Sequence, residues 1–368
     1  MLIMTLEVNR KCNFLCKYCY IKNKLDYEMS RETAVKSIDW AVQRLLKDNH
    51  KKKSIEIDFL GGEPLLSFKL IKGTIEYIKE KYTEIEFTYS ITTNGSLLNQ
   101  DIISFLIKHS FFIKVSLDGK EEDNDKNRLS LSGVGTYRSV IDKFKYLNIY
   151  QEELKRGVQV NSVVTKNNYL NYASNLIYLV EVLGFRSIDL GINLENEWSY
   201  NDLSSLKMVM LEALEYYLKK NLSETFFSWT FIEKVYNNYN RRNGRRLLWC
   251  GAGVSSFYIS WDGNIFMCPA CMSDEYSIGT VDCDLCGEWY KVINENKKLI
   301  DINNPQCIEC EYTDYCPTKG CFVKNHNANK TIHKPYELSC VITKMSAEMY
   351  QSHKSEIDAI MRRRNEYK

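Results

Sequence analysis

The sequence predicts an α/β fold: a parallel sheet with helices outside it that closes only partway into a barrel, followed by a cysteine-rich C-terminal region. Three observations carry this. Over the first two hundred residues, strand-like runs beginning near Ile3, Ile55, Ile85, Phe112, Gly157 and Arg186 alternate with helical patterns, and such alternation implies parallel strands joined by crossover helices. Six β/α units fall short of the eight of a complete barrel, which leaves a lateral opening. From Cys250 onward helical periodicity fades, and ten of the 13 cysteines lie between Cys250 and Cys340. That density is too high for an ordinary apolar domain.

Taken in order, the first run leads into the loop Cys12-Asn13-Phe14-Leu15-Cys16-Lys17-Tyr18-Cys19. A helix follows, with Ala34, Val35, Ile38, Ala41, Val42, Leu45 and Leu46 spaced to share one face. The apolar run Ile55 to Leu60 ends at Gly61-Gly62-Glu63-Pro64. The alternation Ile85, Phe87, Tyr89, Ile91 closes on Thr92-Thr93-Asn94-Gly95, and the run Phe111 to Val115 on Ser116-Leu117-Asp118-Gly119, with Arg128 shortly after. Folds of this class carry their chemistry at the C-terminal ends of the strands, so the cysteine loop, Glu63, Asn94 and Ser116 are expected at one mouth. From Asn201 to about Asn240 the chain reads as a helical bridge rich in Leu, Tyr and Lys. Trp261-Asp262-Gly263-Asn264 reads as a tight hairpin turn that returns Cys268 towards Cys250. A length of 368 residues exceeds one average domain. The expected division is a partial barrel over 1–200, a helical bridge over 201–249, a cysteine-rich domain over 250–345 and a C-terminal helix or tail over 346–368.

Charge excludes some classes of partner. With 49 basic and 47 acidic residues the net charge is +2, so nothing points to nucleic acid or to a membrane surface, and Lys51 to Lys53 read as a solvated loop. No apolar run reaches a membrane span, and the N-terminus lacks a signal-peptide pattern. In a long chain without such a signal, many cysteines indicate metal binding rather than disulfides. A cytoplasmic location is expected.

The C-x3-C-x2-C spacing of Cys12, Cys16 and Cys19 can hold three irons of a cubic 4Fe-4S cluster, whereas full protein ligation needs four cysteines. The fourth iron is left open to a substrate or cofactor, which implies redox chemistry. A zinc knuckle would call for four ligands in two spaced pairs, and neither a His nor a fourth Cys lies near this loop. Gly61 and Gly62 would let backbone groups come close to a ligand, and Glu63 beside them can accept charge-assisted hydrogen bonds from an ammonium.

With its aromatic residue Tyr18 before the third cysteine, the loop resembles the signature of radical S-adenosylmethionine (SAM) enzymes. Gly61-Gly62-Glu63-Pro64 resembles that family's motif for holding the SAM amino group. By resemblance, Ser116 and Arg128 contact the ribose and methionyl parts of SAM, and Asn94 belongs to the same binding set. The C-terminal pattern resembles the SPASM extension, which carries two auxiliary 4Fe-4S clusters: Cys250, twelve residues, Gly263, four residues, Cys268, then Cys307-x2-Cys310-x5-Cys316, Cys321 and Cys340. Four residues separate Cys316 from Cys321, where relatives usually have three. The resemblance implies an outer cluster on Cys307, Cys310, Cys316 and Cys340, and an inner one on Cys250, Cys268 and Cys321. Cys271 could complete the inner set, or its iron could stay open for a substrate thiolate. Cys283 and Cys286 form a C-x2-C pair without an assigned site, and the five histidines, in polar stretches, are expected to be exposed.

The resemblance therefore implies three 4Fe-4S clusters, one binding SAM and two auxiliary, with SAM cleaved to methionine and a 5'-deoxyadenosyl radical that takes a hydrogen from substrate. Implied partners are a peptide or protein substrate and an electron donor of the flavodoxin or ferredoxin type; with the cluster motif beginning at residue 12, a leader would be held either by a separate leader-binding protein or by the helical bridge. The expected activity is maturation of a ribosomally made peptide by a cross-link, above all a thioether. The alternatives are oxidation of Cys or Ser to formylglycine in a sulfatase, or a carbon-carbon link. Sulfatase-activating relatives place an aspartate base after the cysteine of the G-x4-C element. Pro269 stands there in this chain, leaving Asp274 or Glu275 as loose substitutes. A plain iron-sulfur electron carrier would have no need of Glu63, Ser116 or Arg128.

Overall fold

The computed structural model describes residues 1–22, 24–47, 53–195, 197–223, 225–240, 250–283, 285–295, 305–316 and 321–366. Two compact units are built from interleaved segments: Met1–Ser116, Arg128–Arg156 and Cys250–Lys297 form the first, and Leu117–Asn127, Gly157–Trp249 and Lys298–Lys368 the second.

The first unit carries β1 (Leu2–Glu7), β2 (Ser54–Leu60), β3 (Glu86–Thr93) and β4 (Phe112–Ser116), each parallel to the next. The second carries β5 (Gln159–Val164), β6 (Ser187–Ile192) and β7 (Ser228–Trp229), also parallel. Back in the first unit, β8 (Ser256–Ile259) lies parallel to β1 on its other side, and β9 (Asn264–Phe266) and β10 (Ser277–Thr280) extend that edge antiparallel. The first six strands begin within two residues of the sequence expectation. The two-residue β7 and the strands β8 to β10, which join residues beyond Cys250 to the first sheet, were not foreseen as strands of that sheet.

Period-two alternation decides what each face of the first sheet does. Leu2, Met4 and Leu6, Ile55, Ile57 and Phe59, Ile91, Ile113 and Val115 are buried, and helices over Arg31–Lys47, Phe68–Lys81 and Gln100–Lys108 each bury an apolar side of their own. On the other face Thr5, Glu56, Asp58, Thr92, Lys114 and Ser116 are half-buried. Ser90 donates to Asp58 at 2.5 Å, and Lys114 lies 3.5 Å from the same carboxylate. Parallel strands enclosed on both faces by helices read as continuous apolar runs. A polar inner face instead suits a lumen. In the first helix Ala34, Ile38, Ala41, Val42 and Leu45 are buried as expected, but Val35 is half-buried and Leu46 exposed.

In the second unit, the helix Tyr200–Ser223 buries Leu206, Met210, Ala213, Leu214 and Tyr217. Trp229 is fully buried, and its indole N–H donates to the Tyr172 hydroxyl at 2.7 Å. The expected bridge thus holds two helices, Tyr200–Ser223 and Thr230–Asn240, with β7 between them. Its residues 241–249, like Lys51 and Lys52, lie outside the described residues. The C-terminus is a helix, Lys354–Glu366, from which Arg364 reaches Glu233 at 2.5 Å. Among the described residues no helix is long and apolar enough to cross a membrane.

Candidate active site

Because β1 to β4 are parallel, their C-terminal ends share one edge of the first sheet, and four motifs leave from it in turn. The cysteine loop follows β1, Gly61-Gly62-Glu63-Pro64 follows β2, Asn94 follows β3, and Ser116 is the last residue of β4. Backbone contacts bind the first two together: Gly62 N–H donates to Asn9 O at 3.0 Å and Glu63 N–H to Lys11 O at 2.7 Å. A Cβ on Gly61 would stand 2.5 Å from Asn9 O, and one on Gly62 only 2.0 Å from Lys11 O. Both glycines therefore also allow the close approach of two backbone segments.

Glu63 is buried and held by three donors. Its Oε1 accepts from Leu65 N–H at 3.1 Å and from the Thr93 hydroxyl at 2.6 Å, and its Oε2 from Asn94 N–H at 2.7 Å. Burial raises its pKa above the usual carboxylate value, opposed by these hydrogen bonds and by the Arg128 charge. A carboxylate offers about four acceptor positions, so about one is left for an ammonium such as that of SAM. The arrangement fits that group. Arg128, also buried, donates to the Tyr18 hydroxyl at 2.7 Å and is tied by its carbonyl to the Thr136 hydroxyl at 2.9 Å. The Asn94 amide donates to Asn13 at 2.8 Å, which links the end of β3 to the residue beside Cys12.

Cys12, Cys16 and Cys19 are half-buried, form no disulfide and lie on one turn, with Cys19 N–H donating to Cys16 O at 3.1 Å and Phe14 N–H to Cys12 Sγ at 3.4 Å. Burial pushes the Cys12 thiol up to about 11, with Lys24 pulling it down. Iron binding replaces that proton, since only the thiolate is a ligand.

In the second unit, Cys307, Cys310, Cys316 and Cys340 line a single cavity of about 920 Å³. Burial and the neighbouring Cys316, Cys307 and Cys310 push the Cys340 thiol up to about 11. Among the described residues no three His, Cys, Asp or Glu side chains converge as one metal ion would require. A cubic cluster makes no such demand, because each thiolate meets its own iron. These four thiols fit that group. Residues 317–320, between Cys316 and Cys321, lie outside the described residues.

The expected inner set is divided, with Cys250 and Cys268 in the first unit and Cys321 in the second. The turn expected at Trp261 to Asn264 joins β8 to β9, with Gly263 at φ +87° and Ser260 N–H donating to Asn264 O at 2.9 Å. Tyr258 faces Phe266, the last residue of β9, two residues before Cys268. Cys271 is buried, its sulfur 3.7 Å from that of Cys268. Cys283 and Cys286, like Asp274 and Glu275, are exposed. Of the histidines, only His333 is exposed as expected; His109, His326 and His353 are half-buried, and His50 lies outside the described residues. His109 packs tilted against Phe105, with ring centroids 4.4 Å apart.

Several residues of the site had no role in the sequence reading. Thr93 grips Glu63, and Asn9 donates to Glu63 O at 3.0 Å and to the Ser67 hydroxyl at 2.7 Å. Behind the Ser116 motif, Asp118 accepts from Val163 N–H at 3.0 Å, and Asn175 accepts from Lys120 N–H at 3.0 Å. Gly119 at φ +128° leaves no room for a Cβ beside Asn175. Runs of Asn and Thr at strand ends were the available signal.

Residues 6–164 match the family model of the radical SAM superfamily. A cysteine-type anaerobic sulfatase-maturating enzyme of Clostridium novyi is 25% identical over 84% of this chain and 84% of its own length. The radical SAM cyclopropyl synthase TigE of Paramaledivibacter caminithermalis is 24% identical over 84% of this chain and 66% of its own. Among solved structures, anSMEcpe with bound AdoMet has a TM-score of 0.81 at 18% identity, covering 98% of this chain and 95% of that one. Streptococcus suis SuiB bound to its precursor peptide SuiA has a TM-score of 0.61 at 19% identity, covering 91% and 74%. These likenesses give the fold as the partial barrel with a cysteine-rich C-terminal region.

Proposed function

The chain is a radical SAM enzyme of the type with a cysteine-rich C-terminal region, and from that premise we propose that it matures a ribosomally made peptide by installing a cross-link, a thioether first of all. The observation that carries the reading is the meeting of Cys12, Cys16 and Cys19 with Glu63, Asn94 and Ser116 along one strand edge. When bound, the first cluster would supply the electron that splits SAM into methionine and a 5'-deoxyadenosyl radical, which takes a hydrogen atom from the substrate. Cys12, Cys16 and Cys19 would hold that cluster. Glu63 would take the SAM ammonium, with Gly61, Gly62, Asn94, Ser116, Arg128 and Tyr18 completing the SAM site. Thr93 and Asn9 keep the Glu63 segment in place, and Arg128 is oriented by Tyr18.

In the same reading Cys307, Cys310, Cys316 and Cys340 would hold an outer auxiliary cluster, supported by their shared cavity. Cys250, Cys268 and Cys321 would serve an inner one. With one iron left open, that cluster would supply a site where a substrate thiol gives up its proton, and would take the one electron released when the carbon–sulfur bond forms. The division into 1–200, 201–249, 250–345 and 346–368 belongs to this proposal, as do the cytoplasmic location, the external electron donor and the separate leader-binding protein. That anSMEcpe has been solved with a Cp18Cys peptide and SuiB with SuiA supports a peptide substrate.

Formylglycine formation in a sulfatase is the second reading, favoured by the 25% identity to the Clostridium novyi enzyme. Against it, Pro269 offers no base, and Asp274 and Glu275 are exposed. The test is anaerobic turnover with SAM and dithionite on the peptides encoded beside the gene. A product two hydrogens lighter, resistant to thiol alkylation at one Cys, supports the thioether. A product that has lost sulfur and gained an aldehyde supports the alternative, and the absence of 5'-deoxyadenosine refutes both.

A further inference from the structure

The inner face of the first sheet carries charge that the SAM site does not use. At one level Tyr258 of β8 pairs with Thr5 of β1, Thr5 with Asp58 of β2, and Asp58 with Ser90 of β3. Glu56 lies two residues before Asp58 on the same face, and Lys114 of β4 stands opposite Thr92, two residues after Ser90. Phe257 sets its ring 5.1 Å from that of Trp40 on the first helix, so its neighbour Tyr258 points the other way, inward. Glu7, also inward, is met by Arg10 at 3.1 Å.

Charge on this face is out of balance. Glu56 and Asp58 are two carboxylates, and among the described residues Lys114 is the one cation that reaches them, 3.5 Å from the Asp58 Oδ1 that also takes the Ser90 hydroxyl at 2.5 Å. Burial raises the Glu56 pKa, Lys114 opposes the rise and Asp58 adds to it. A half-buried carboxylate short of a counter-charge favours a ligand that brings one. The Tyr258 hydroxyl is wholly buried and closes no hydrogen bond, although Glu7 and Tyr20 are near enough to act on it electrostatically. A buried polar group left in that state marks a place for a partner. Tyr20, which follows Cys19, is acted on by both Glu7 and Asp58, so this face adjoins the first cysteine loop.

We propose that Glu56, Asp58 and Tyr258 form a subsite for a cationic side chain, lysine or arginine, of the peptide substrate. The cation would donate charge-assisted hydrogen bonds to the carboxylates, balance the second of them, and give the Tyr258 oxygen a donor. Tyrosine ring faces themselves attract cations. Lys114, a resident cation beside Asp58, keeps that carboxylate paired before substrate arrives and limits the affinity.

This subsite rests on the peptide-modifying reading, and its test needs no turnover. Calorimetry on the reconstituted full chain, with SAM and without reductant, measures binding of Nα-acetyl-lysine amide and of its uncharged counterpart Nα-acetyl-norleucine amide. The lysine probe should bind about tenfold or more tighter. Glu56→Gln with Asp58→Asn should erase that preference while iron content and SAM affinity stay unchanged. Lys114→Met should instead tighten the lysine probe, a direction that structural damage does not produce, and it decides the matter if the double variant fails to load iron. Equal binding of the two probes to wild type, a preference that survives in the iron-loaded double variant, or a lysine probe no tighter in Lys114→Met overturns the subsite. A wild type that prefers the lysine probe yet alters none of the peptides encoded beside its gene overturns the peptide reading, not the subsite.

Discussion

Glu63→Gln is the most informative single change at the proposed SAM site. Oε1 of Glu63 already takes two donors and Oε2 one, from Asn94 N–H at 2.7 Å. Glutamine keeps the doubly used oxygen best by turning its NH2 toward Asn94, where donor then faces donor. Leaving that buried amide unsatisfied costs about 1–3 kcal/mol of stability before any ligand is added. The vacant acceptor position on Oε2 is lost as well, and with it the negative charge. A charge-assisted hydrogen bond in a buried site is worth about 1.5–3 kcal/mol, which weakens SAM binding roughly tenfold to a hundredfold. Calorimetric titration of SAM into the anaerobically reconstituted variant gives the affinity, denaturant unfolding gives the stability, and iron content should not change. A variant that loses stability but binds SAM within about twofold of wild type would refute the ammonium role and leave Glu63 only as the clamp joining β2 to β3.

Gly62→Ala should prevent the Glu63 segment from docking, since its Cβ meets Lys11 O at 2.0 Å, and should cost the first cluster; Gly73→Ala, in open space on a helix, should raise stability by about 0.5–1 kcal/mol in the same unfolding assay. Replacing Cys12, Cys16 and Cys19 together by Ala should lower iron by about four atoms per chain and abolish 5'-deoxyadenosine formation, leaving the auxiliary sites loaded. Cys271→Ala should leave the inner cluster and the activity intact if its iron is open to substrate; loss of that cluster in the electron paramagnetic resonance spectrum would make Cys271 the fourth ligand and a thioether less favoured. Asp123 is buried, which by itself raises its pKa, but Lys126 at 2.6 Å, Asn171 at 3.0 Å and Asn175 at 2.8 Å hold it below 3.8. Its stabilisation is therefore present above about pH 4 and lost as pH falls through the lowered value, and Asp123→Asn should cost about 2 kcal/mol at neutral pH while flattening the acid limb of the stability profile.

Much of this was legible in the sequence because the strands write themselves as short, largely apolar runs in which alternate residues are buried. Ile55 to Leu60 and Phe111 to Val115 could be placed to within two residues, and the motifs that follow them share an edge simply because the strands point the same way. The strands β7 and β10 escaped, and β8 and β9 were signalled only by the hairpin turn between them, because each has four residues or fewer, too few for a period of two to stand out. Val35 and Leu46 were misassigned for a different reason. Apolar residues at both margins of a helical stripe satisfy the same spacing, and only the neighbour actually packed against the helix decides which are covered.

What the sequence could not convey is why Glu63 stays in place. Its partner Thr93 is 30 residues away and Asn9, which takes its carbonyl, is 54 residues away on the other side. Neither contact has a local spacing, because both are made by the register of β1, β2 and β3 rather than by the turn itself. The same register explains Gly61 and Gly62. Read along the chain, two glycines before a carboxylate suggest a ligand cradle; set beside β1, they are the two positions where Asn9 O and Lys11 O leave no space for a Cβ. The cysteine loop and the Glu63 segment are thus one structural piece, fastened by Gly62 N–H and Glu63 N–H. A lesion in either should therefore injure the other: Gly62→Ala, which sets a Cβ against Lys11 O, should lose iron, and a change at Asn9, which removes its bonds to Glu63 O and Ser67, should weaken SAM binding at the same junction.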